Sequence, residues 1–309
     1  MTQLTYLAPA KLNRFLSVLG RRADGFHQLE LVTTVLHGWH SLTDELVAEK
    51  AEETCLEIEG PASSGLVPDE SNLVMKAWRA LERESGRALP AKIKLLKRIP
   101  SGAGLGGGSS DAATALKAGN DLYNLNLPPS ALLCLAAELG SDVPLFLLGG
   151  TVLGLDLGQR VIPMRDMPLP PMLIAFPNIH VATPSVYKAL APQDYSSPAP
   201  CPALGPGEAP PWYSGLASAA LRVCPALKSI RDALTDAGGD PLLCGSGSSW
   251  AAKFNSVAER DVALEKLRSQ HPRWSFYTED SNSASWPFMA DQTAQPASIL
   301  MLSLSSDGD

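Results

Sequence analysis

The chain of 309 residues is 45% apolar and carries a formal net charge of −7. That length and apolar content suit a soluble globular protein of two domains, and the acidic balance argues against broad nucleic-acid binding, which needs a basic face. No run approaches the ~18 apolar residues of a membrane span, the N-terminus lacks a secretory or transit pattern, and the five scattered cysteines form no C-x-x-C pair, so a reducing, cytoplasmic setting without zinc or disulfide framework is expected.

From the N-terminus, Thr5 to Leu19 forms one apolar strand pattern interrupted by Lys11, Asn13 and Arg14. Alternation puts Lys11, Asn13 and Phe15 on one face. The strand is either an edge with solvated polar tips or one that aims a lysine into a site. Gly20-Arg21-Arg22-Ala23-Asp24-Gly25-Phe26-His27 follows as a loop displaying two arginines, a ring and an imidazole. Leu29 to Leu36 is a strand pattern, and Asp44 to Ile58 is further sheet. Ser71 or Asn72 is placed to cap an amphipathic helix over Leu73 to Ser85. Lys92 to Ile99 is the next strand, with Lys97-Arg98 at its end.

Pro100-Ser101-Gly102-Ala103-Gly104-Leu105-Gly106-Gly107-Gly108-Ser109-Ser110-Asp111-Ala112-Ala113 links that strand to a helix over Asp111 to Leu122. A glycine chain turning into a helix start gathers backbone N–H groups at the positive end of the helix dipole, an anion site suited to a polyphosphate. Ser109 and Ser110 add hydroxyl donors, and either could cap the helix. Gly102, Gly104 and Gly107 satisfy G-x-G-x-x-G, but Leu-Asn-Leu-Pro-Pro near position 125 is not the strand a dinucleotide fold requires. A Walker A loop needs a lysine that is absent, and the partner motifs of a protein-kinase glycine loop are also missing. A flexible surface turn is the bland alternative, and the small-residue helix start speaks against it.

Pro128-Pro129-Ser130 opens a helix over Ala131 to Leu139, stopped by Gly140. In Gly140-Ser141-Asp142-Val143-Pro144-Leu145-Phe146, one acid sits at a turn between apolar runs, as a turn cap or as a catalytic carboxylate. Thr151 to Leu157 is a strand, and the second half begins near Val161. It holds a strand over Met172 to Phe176 and a helix starting within Val181 to Tyr187. Residues 191 to 213 are proline-rich and read as an insertion or mobile loop. Helices over Ser214 to Cys224 and Ala226 to Ala237 follow. Next come a second small-residue turn at Gly245-Ser246-Gly247-Ser248 between two strands, a helix over Val257 to Ser269 and a last strand over Trp274 to Thr278. Past Asn282 the tail is polar and irregular, with an apolar patch over Ile299 to Leu304.

A phosphate loop, a lysine in an apolar strand, an acid at a turn and a second glycine turn form a set for phosphoryl transfer, which is mostly positioning and charge stabilisation. Pro100 to Ala113 resembles the phosphate loop of the GHMP kinases, the superfamily of galactokinase, homoserine kinase, mevalonate kinase and phosphomevalonate kinase. The form Gly-Leu-Gly-Gly-Gly-Ser-Ser-Asp-Ala-Ala, the opening Pro9-Ala10-Lys11-Leu12-Asn13, the loop Gly20 to His27 and the run Gly140 to Phe146 resemble the branch that acts on 4-diphosphocytidyl-2-C-methyl-D-erythritol. Gly245 to Ser248 is similar to the third motif of the superfamily.

The resemblance implies an α+β fold of two domains. These are an N-terminal domain of ribosomal-protein-S5-like domain 2 type over about 1–160 and a C-terminal ferredoxin-like domain over about 161–309, with the site in the cleft between them. It implies ATP and Mg²⁺, a small-molecule substrate, and a monomer or homodimer engaging neither nucleic acid nor membrane. Asp142 matches the family's general base and Lys11 its partner. Pro100, Gly102, Gly104, Leu105, Gly106, Gly107, Gly108, Ser109 and Ser110 would hold the ATP phosphates, with Lys97 and Asn72 near the adenine. Asn13, Asp142, Gly245, Ser246 and Gly247 match substrate-binding positions. Phe26, His27, Thr183 and Tyr187 match the pocket for the cytidine end. Phe26 replaces a usual tyrosine, and Trp250-Ala-Ala-Lys253 is an unusual continuation of the third motif. Another GHMP kinase acting on homoserine or mevalonate, or a catalytically silent nucleotide-binding relative, are the competing expectations.

Overall fold

The computed structural model describes residues 3–196 and 210–279. The apolar pattern expected as one strand over Thr5 to Leu19 is two: β1 (Gln3–Pro9) and β2 (Lys11–Arg21), in different sheets. Pro9 has no N–H to continue a ladder, and the next two amides turn away, Ala10 to the Leu42 carbonyl and Lys11 to the Leu105 carbonyl, each at 3.0 Å. β3 (His27–Val35) pairs antiparallel with β2, and β4 (Thr43–Lys50) pairs with β1. β5 (Cys55–Glu59) and β6 (Ala91–Leu96) complete a sheet of order β1-β4-β6-β5.

Helix α1 (Leu73–Ser85) lies between those strands. Asn72 caps it by accepting the Val74 amide at 3.0 Å, and Val74, Ala77, Trp78 and Leu81 form its buried stripe. α2 (Gly107–Leu122) and α3 (Pro129–Leu139) pack beside α1 over the first sheet. Gly119 of α2 admits the ring of Trp78 and the side chain of Leu81, since a Cβ there would fall 2.6 Å from Leu81 Cδ1. α4 (Val143–Leu148) adds Val143 to the same core.

β7 (Thr151–Asp156) and β8 (Arg160–Met164) extend the second sheet on the far side of β3. β8 was not expected from the sequence because it contains Pro163, a residue confined to sheet edges, and an edge is where β8 lies. The strand that opens the expected second half thus belongs to a sheet of the first.

β9 (Met172–Phe176) and α5 (Thr183–Lys188) follow. The described ends of the proline-rich stretch differ from a mobile loop. Arg222 pairs with Asp194, the Ser196 amide donates to the Val18 carbonyl at 2.9 Å, and β10 (Tyr213–Ser214) pairs parallel with Phe15 and Leu16 of β2. Residues 197–209 of that stretch, and the tail past Asn282 with its apolar patch, lie outside the described residues. The second sheet therefore runs β10-β2-β3-β7-β8.

The chain continues through α6 (Ala217–Val223), α7 (Leu227–Asp236), β11 (Asp240–Leu243), β12 (Trp250–Lys253), α8 (Val257–Gln270) and β13 (Ser275–Thr278), and the third sheet runs β11-β12-β9-β13. The helix expected from Ser214 starts later, because Ser214 is taken by the β10 pairing. Two cores join the halves. Leu16, Val18, Leu29 and Leu31 pack with Leu173, Leu234 and Trp250, and Ala10, Leu12, Trp39 and Ile99 pack with Ile174, Leu242 and Cys244. β2 is therefore covered on both faces, which explains why its first eight residues are all buried and show no polar alternation.

Candidate active site

The glycine motif does not lead to a helix at Asp111. α2 starts at Gly107, with Gly106 in the N-cap position at φ +74°, so Gly107 to Ser110 form its first turn. Neither serine caps. The first bond of the turn runs from the Ser110 amide to the Gly106 carbonyl at 2.9 Å, and the N–H groups of Gly107, Gly108 and Ser109 precede it at the positive end of the dipole. At Gly104 (φ +77°) a Cβ would sit 1.9 Å from the Cys244 carbonyl oxygen, and at Gly106 it would sit 2.9 Å from Lys11 Cγ. The loop is thus clamped between the third-motif turn and Lys11. That turn returns two hydrogen bonds, Ser248 N–H to Gly102 C=O and Ser249 N–H to Ala103 C=O, each at 3.3 Å. Burial pushes the nearby Cys244 thiol up to about 12, so it stays protonated and inert.

Lys11 projects from the start of β2 and is 4% exposed. Its ammonium donates to Asn13 Oδ1 at 2.6 Å, and Asn13 donates to Thr33 Oγ1 at 2.7 Å, so the two β2 residues share a face. Phe15 does not join them. The β2–β3 register shifts between Asn13 and Phe15, leaving Arg14 as the extra residue of a bulge. Leu16 takes the face expected for Phe15 and lines the cavity, while the Phe15 ring lies against Tyr213 at 5.9 Å. The reading of β2 as an edge strand fails for the same residues, because the lysine is buried and aimed inward.

Asp142 occupies the N-cap position of α4, yet its side chain accepts no cap hydrogen bond. Its Oδ2 stands 3.4 Å from Lys11 Nζ. Lys11, Asn13, Asp142 and the loop from Pro100 to Ser109 line one cavity of about 440 Å³, together with Lys97, Thr183, Tyr187, Gly245 and Ser246. Thr183 and Ser246 hydroxyls are bonded at 2.7 Å across it. Burial, and then the Asp142 charge, raise the Tyr187 hydroxyl well above its usual value and keep it a neutral donor.

Phe26, His27, Asn72, Ser110 and Gly247 are not among the residues that line this cavity. The His27 ring packs on Tyr187 at 5.4 Å and on Tyr195 at 6.1 Å; burial, and then Arg21, lower its pKa. Phe26 is 62% exposed at the hairpin tip beside it. The Asn72 side chain caps α1, the Ser110 hydroxyl is buried behind the loop, and Gly247 donates its amide to the Cys244 carbonyl at 2.8 Å. Lys97 reaches the cavity wall, but its ammonium is held by Asp44 and Asp111. Asp44 went unnoticed in the sequence; an acid within the apolar sheet pattern was the available signal. His180 also went unnoticed, and its ring meets Gly102 so closely that a Cβ there would lie 2.5 Å from Nδ1.

Geometrically, a backbone anion cradle faces a buried lysine and a carboxylate across a cavity closed by a second glycine turn. Residues 72–150, which include that cradle and Asp142, match the family described as GHMP kinases N terminal domain. A 4-diphosphocytidyl-2-C-methyl-D-erythritol kinase of Thermus thermophilus is 37% identical over 286 residues, covering 91% of this chain and 98% of that protein. The crystal structure of a 4-(cytidine 5'-diphospho)-2C-methyl-D-erythritol kinase superposes with a TM-score of 0.73 at 37% identity, over 89% of this chain and 98% of the other. A homoserine kinase from Cytophaga hutchinsonii shares the fold, with a TM-score of 0.63 at 19% identity over 92% of this chain and 96% of the other. With the α+β architecture, the phosphate loop and near full-length identity of this order all in agreement, the chain belongs to the 4-diphosphocytidyl-2-C-methyl-D-erythritol kinase family of the GHMP kinases.

Proposed function

We propose that the chain transfers the γ-phosphoryl group of ATP to the 2-hydroxyl of 4-diphosphocytidyl-2-C-methyl-D-erythritol, a step of non-mevalonate isoprenoid precursor synthesis. The observation that carries this is the Lys11–Asp142 pair, 3.4 Å apart, facing the glycine loop across one cavity. The Gly107, Gly108 and Ser109 amides would hold the phosphates of ATP without a lysine in the loop. The Asp142 carboxylate would take the proton of the attacking hydroxyl. Lys11, fixed by Asn13, would hold that carboxylate in place and offset charge on the transferred group. Tyr187, His27 and Phe26 would receive the cytosine ring, with Thr183 and Ser246 at the ribose or diphosphate.

Mg²⁺ is the ion such chemistry uses. Among the described residues no group of three or more His, Cys, Asp or Glu forms a cage. Mg²⁺ keeps its waters and binds through one or two carboxylates and substrate phosphates, and Asp142 is an acid on this cavity, so the residues fit an ion carried on the nucleotide. When bound, the ion would neutralise part of the triphosphate charge. No helix among the described residues is long and apolar enough to cross a membrane. A cytoplasmic setting, with the cysteine pattern as its support, and a monomer or homodimer acting on a small molecule complete the proposal.

The test is transfer of label from γ-labelled ATP by the purified protein to the cytidine diphospho-substrate, homoserine or mevalonate. Label on the first alone is expected. Transfer to homoserine or mevalonate instead would assign another GHMP activity, and transfer to none would leave a nucleotide-binding relative without catalysis.

A further inference from the structure

Helix α2 starts over a buried cluster that the proposed chemistry leaves unused. Lys97 Nζ donates to Asp111 Oδ2 at 2.6 Å and to Asp44 Oδ2, and Lys97 is 2% exposed. The two carboxylates are not equally served. Asp44 also accepts the backbone amides of Arg98 and Ile99, the second at 2.9 Å. Asp111 Oδ1 is buried with no hydrogen-bond partner among the described residues.

Two carboxylates and one ammonium in a buried site leave one negative charge over. A bare oxygen on an ionised, buried carboxylate is the costlier place to keep it. A proton on Asp111 removes that charge. Burial foremost pushes the Asp111 carboxyl up to about 8; Lys97 opposes the shift and Asp44 adds to it. Among the described residues, the charged groups facing Asp111 are Lys97, just after β6, and Asp44 on β4. α1 and α4 pack on α2 through Val74, Ala77 and Val143, and the Tyr6 hydroxyl of β1 is bonded to Asp121 at the far end of α2.

The cluster adjoins the phosphate cradle. Lys97 lines the cavity, and a Cβ on Gly107 would lie 3.2 Å from its Nζ. A surplus negative charge there would act on a bound polyanion through a low-dielectric wall. We propose that Asp111 is a positioning residue held as a neutral acid in the nucleotide-binding form, so that the Lys97–Asp44–Asp111 cluster presents no net negative charge beneath the phosphate loop. This rests on the nucleotide-binding assignment of that loop.

The experiment is ATP affinity from about pH 6.5 to about pH 9.5, for the intact protein and for Asp111→Asn, whose amide stands in for the neutral acid. Affinity of the unsubstituted protein is expected to fall by up to about tenfold per pH unit above about pH 8. That of Asp111→Asn stays level by comparison. The nucleotide and all other groups titrate in both proteins, so the difference between the two profiles is the readout. Calorimetry in buffers of different ionisation heat should show proton uptake on binding near pH 9 in the unsubstituted protein and less in the variant. Coincident profiles, or a folded Asp111→Asn that has lost affinity at pH 7, overturn the proposal. Should Asp111→Asn not fold, Asp111→Ser takes its place in both measurements, and coincident profiles overturn the proposal. No ATP binding by the unsubstituted protein at pH 7 would remove the kinase assignment itself, whereas binding with coincident profiles removes only the neutral acid.

Discussion

The Lys11 ammonium stands 3.4 Å from the Asp142 carboxylate, with Asn13 holding the lysine at 2.6 Å from the other side. β2 supplies the lysine and the turn before α4 supplies the acid. The lysine is nearly sealed from water and the acid is one-third exposed, its side chain at 33%, so the acid is the partner that a substrate can reach.

Replacing Asp142 by Asn removes the proton acceptor and leaves the loop amides untouched. Turnover is expected to fall by about 10²–10⁴-fold, the range for loss of a general base, with ATP affinity little changed. Steady-state kinetics beside equilibrium ATP binding check this, and near-normal kcat would remove Asp142 from its role.

Gly104→Ala meets two obstacles at once: a φ of +77° and a Cβ position 1.9 Å from a backbone carbonyl. The backbone must shift, because a carbonyl oxygen cannot swing aside as a side-chain tip can. A cost of at least about 1–3 kcal/mol is expected, with ATP affinity lost as the loop moves. Denaturant unfolding together with nucleotide titration would measure both. Wild-type affinity in the variant would show that the contact between loop and third-motif turn is dispensable.

Tyr187→Ala removes the ring against which His27 packs at 5.4 Å. Loss of one stacking face is expected to raise KM for the cytidine-bearing substrate about tenfold, from about 1–1.5 kcal/mol of ring contact. KM for ATP should not move. Equal rises in both constants would place Tyr187 in a general structural role instead.

Asp111 also links folding to pH. Its unfolded value is 3.8 and its folded value about 8. Between these limits the folded chain keeps a proton that the unfolded chain has released, so stability from this group falls as pH rises and levels off above about 8. Burial lowers the Lys97 pKa, and the Asp111 and Asp44 carboxylates, where ionised, outweigh it and leave the net shift upward. Asp111→Asn should flatten the slope of denaturant midpoint against pH; an unaltered slope would contradict the protonated form.

The motifs of this site were legible because their chemistry is local: glycines where amides must converge, a lysine and asparagine two apart on a strand, an acid at a turn. The helices with a cap and an apolar stripe were legible for the same reason. What escaped depends on distant partners. The resemblance puts Lys97 near the adenine, and nothing nearby in the sequence shows that Asp44, in another strand, also pairs with its ammonium. The bulge at Arg14 shifted Leu16 into the place of Phe15, since alternation assumes an unbroken register. The start of α2 moved back to Gly107 because packing on Ile99 and Lys97 overrides the poor helix propensity of glycine. β8 was hidden by its proline, and the ends of the proline-rich stretch are tied down by Arg222 and β2.

The most direct measurement is a structure of the protein with a non-hydrolysable ATP analogue and the cytidine diphospho-substrate. The account predicts the triphosphate on the amides of Gly107, Gly108 and Ser109, with the acceptor hydroxyl within hydrogen-bond reach of Asp142. A triphosphate lodged away from that helix start, or a hydroxyl beyond reach of both Asp142 and Lys11, would contradict it.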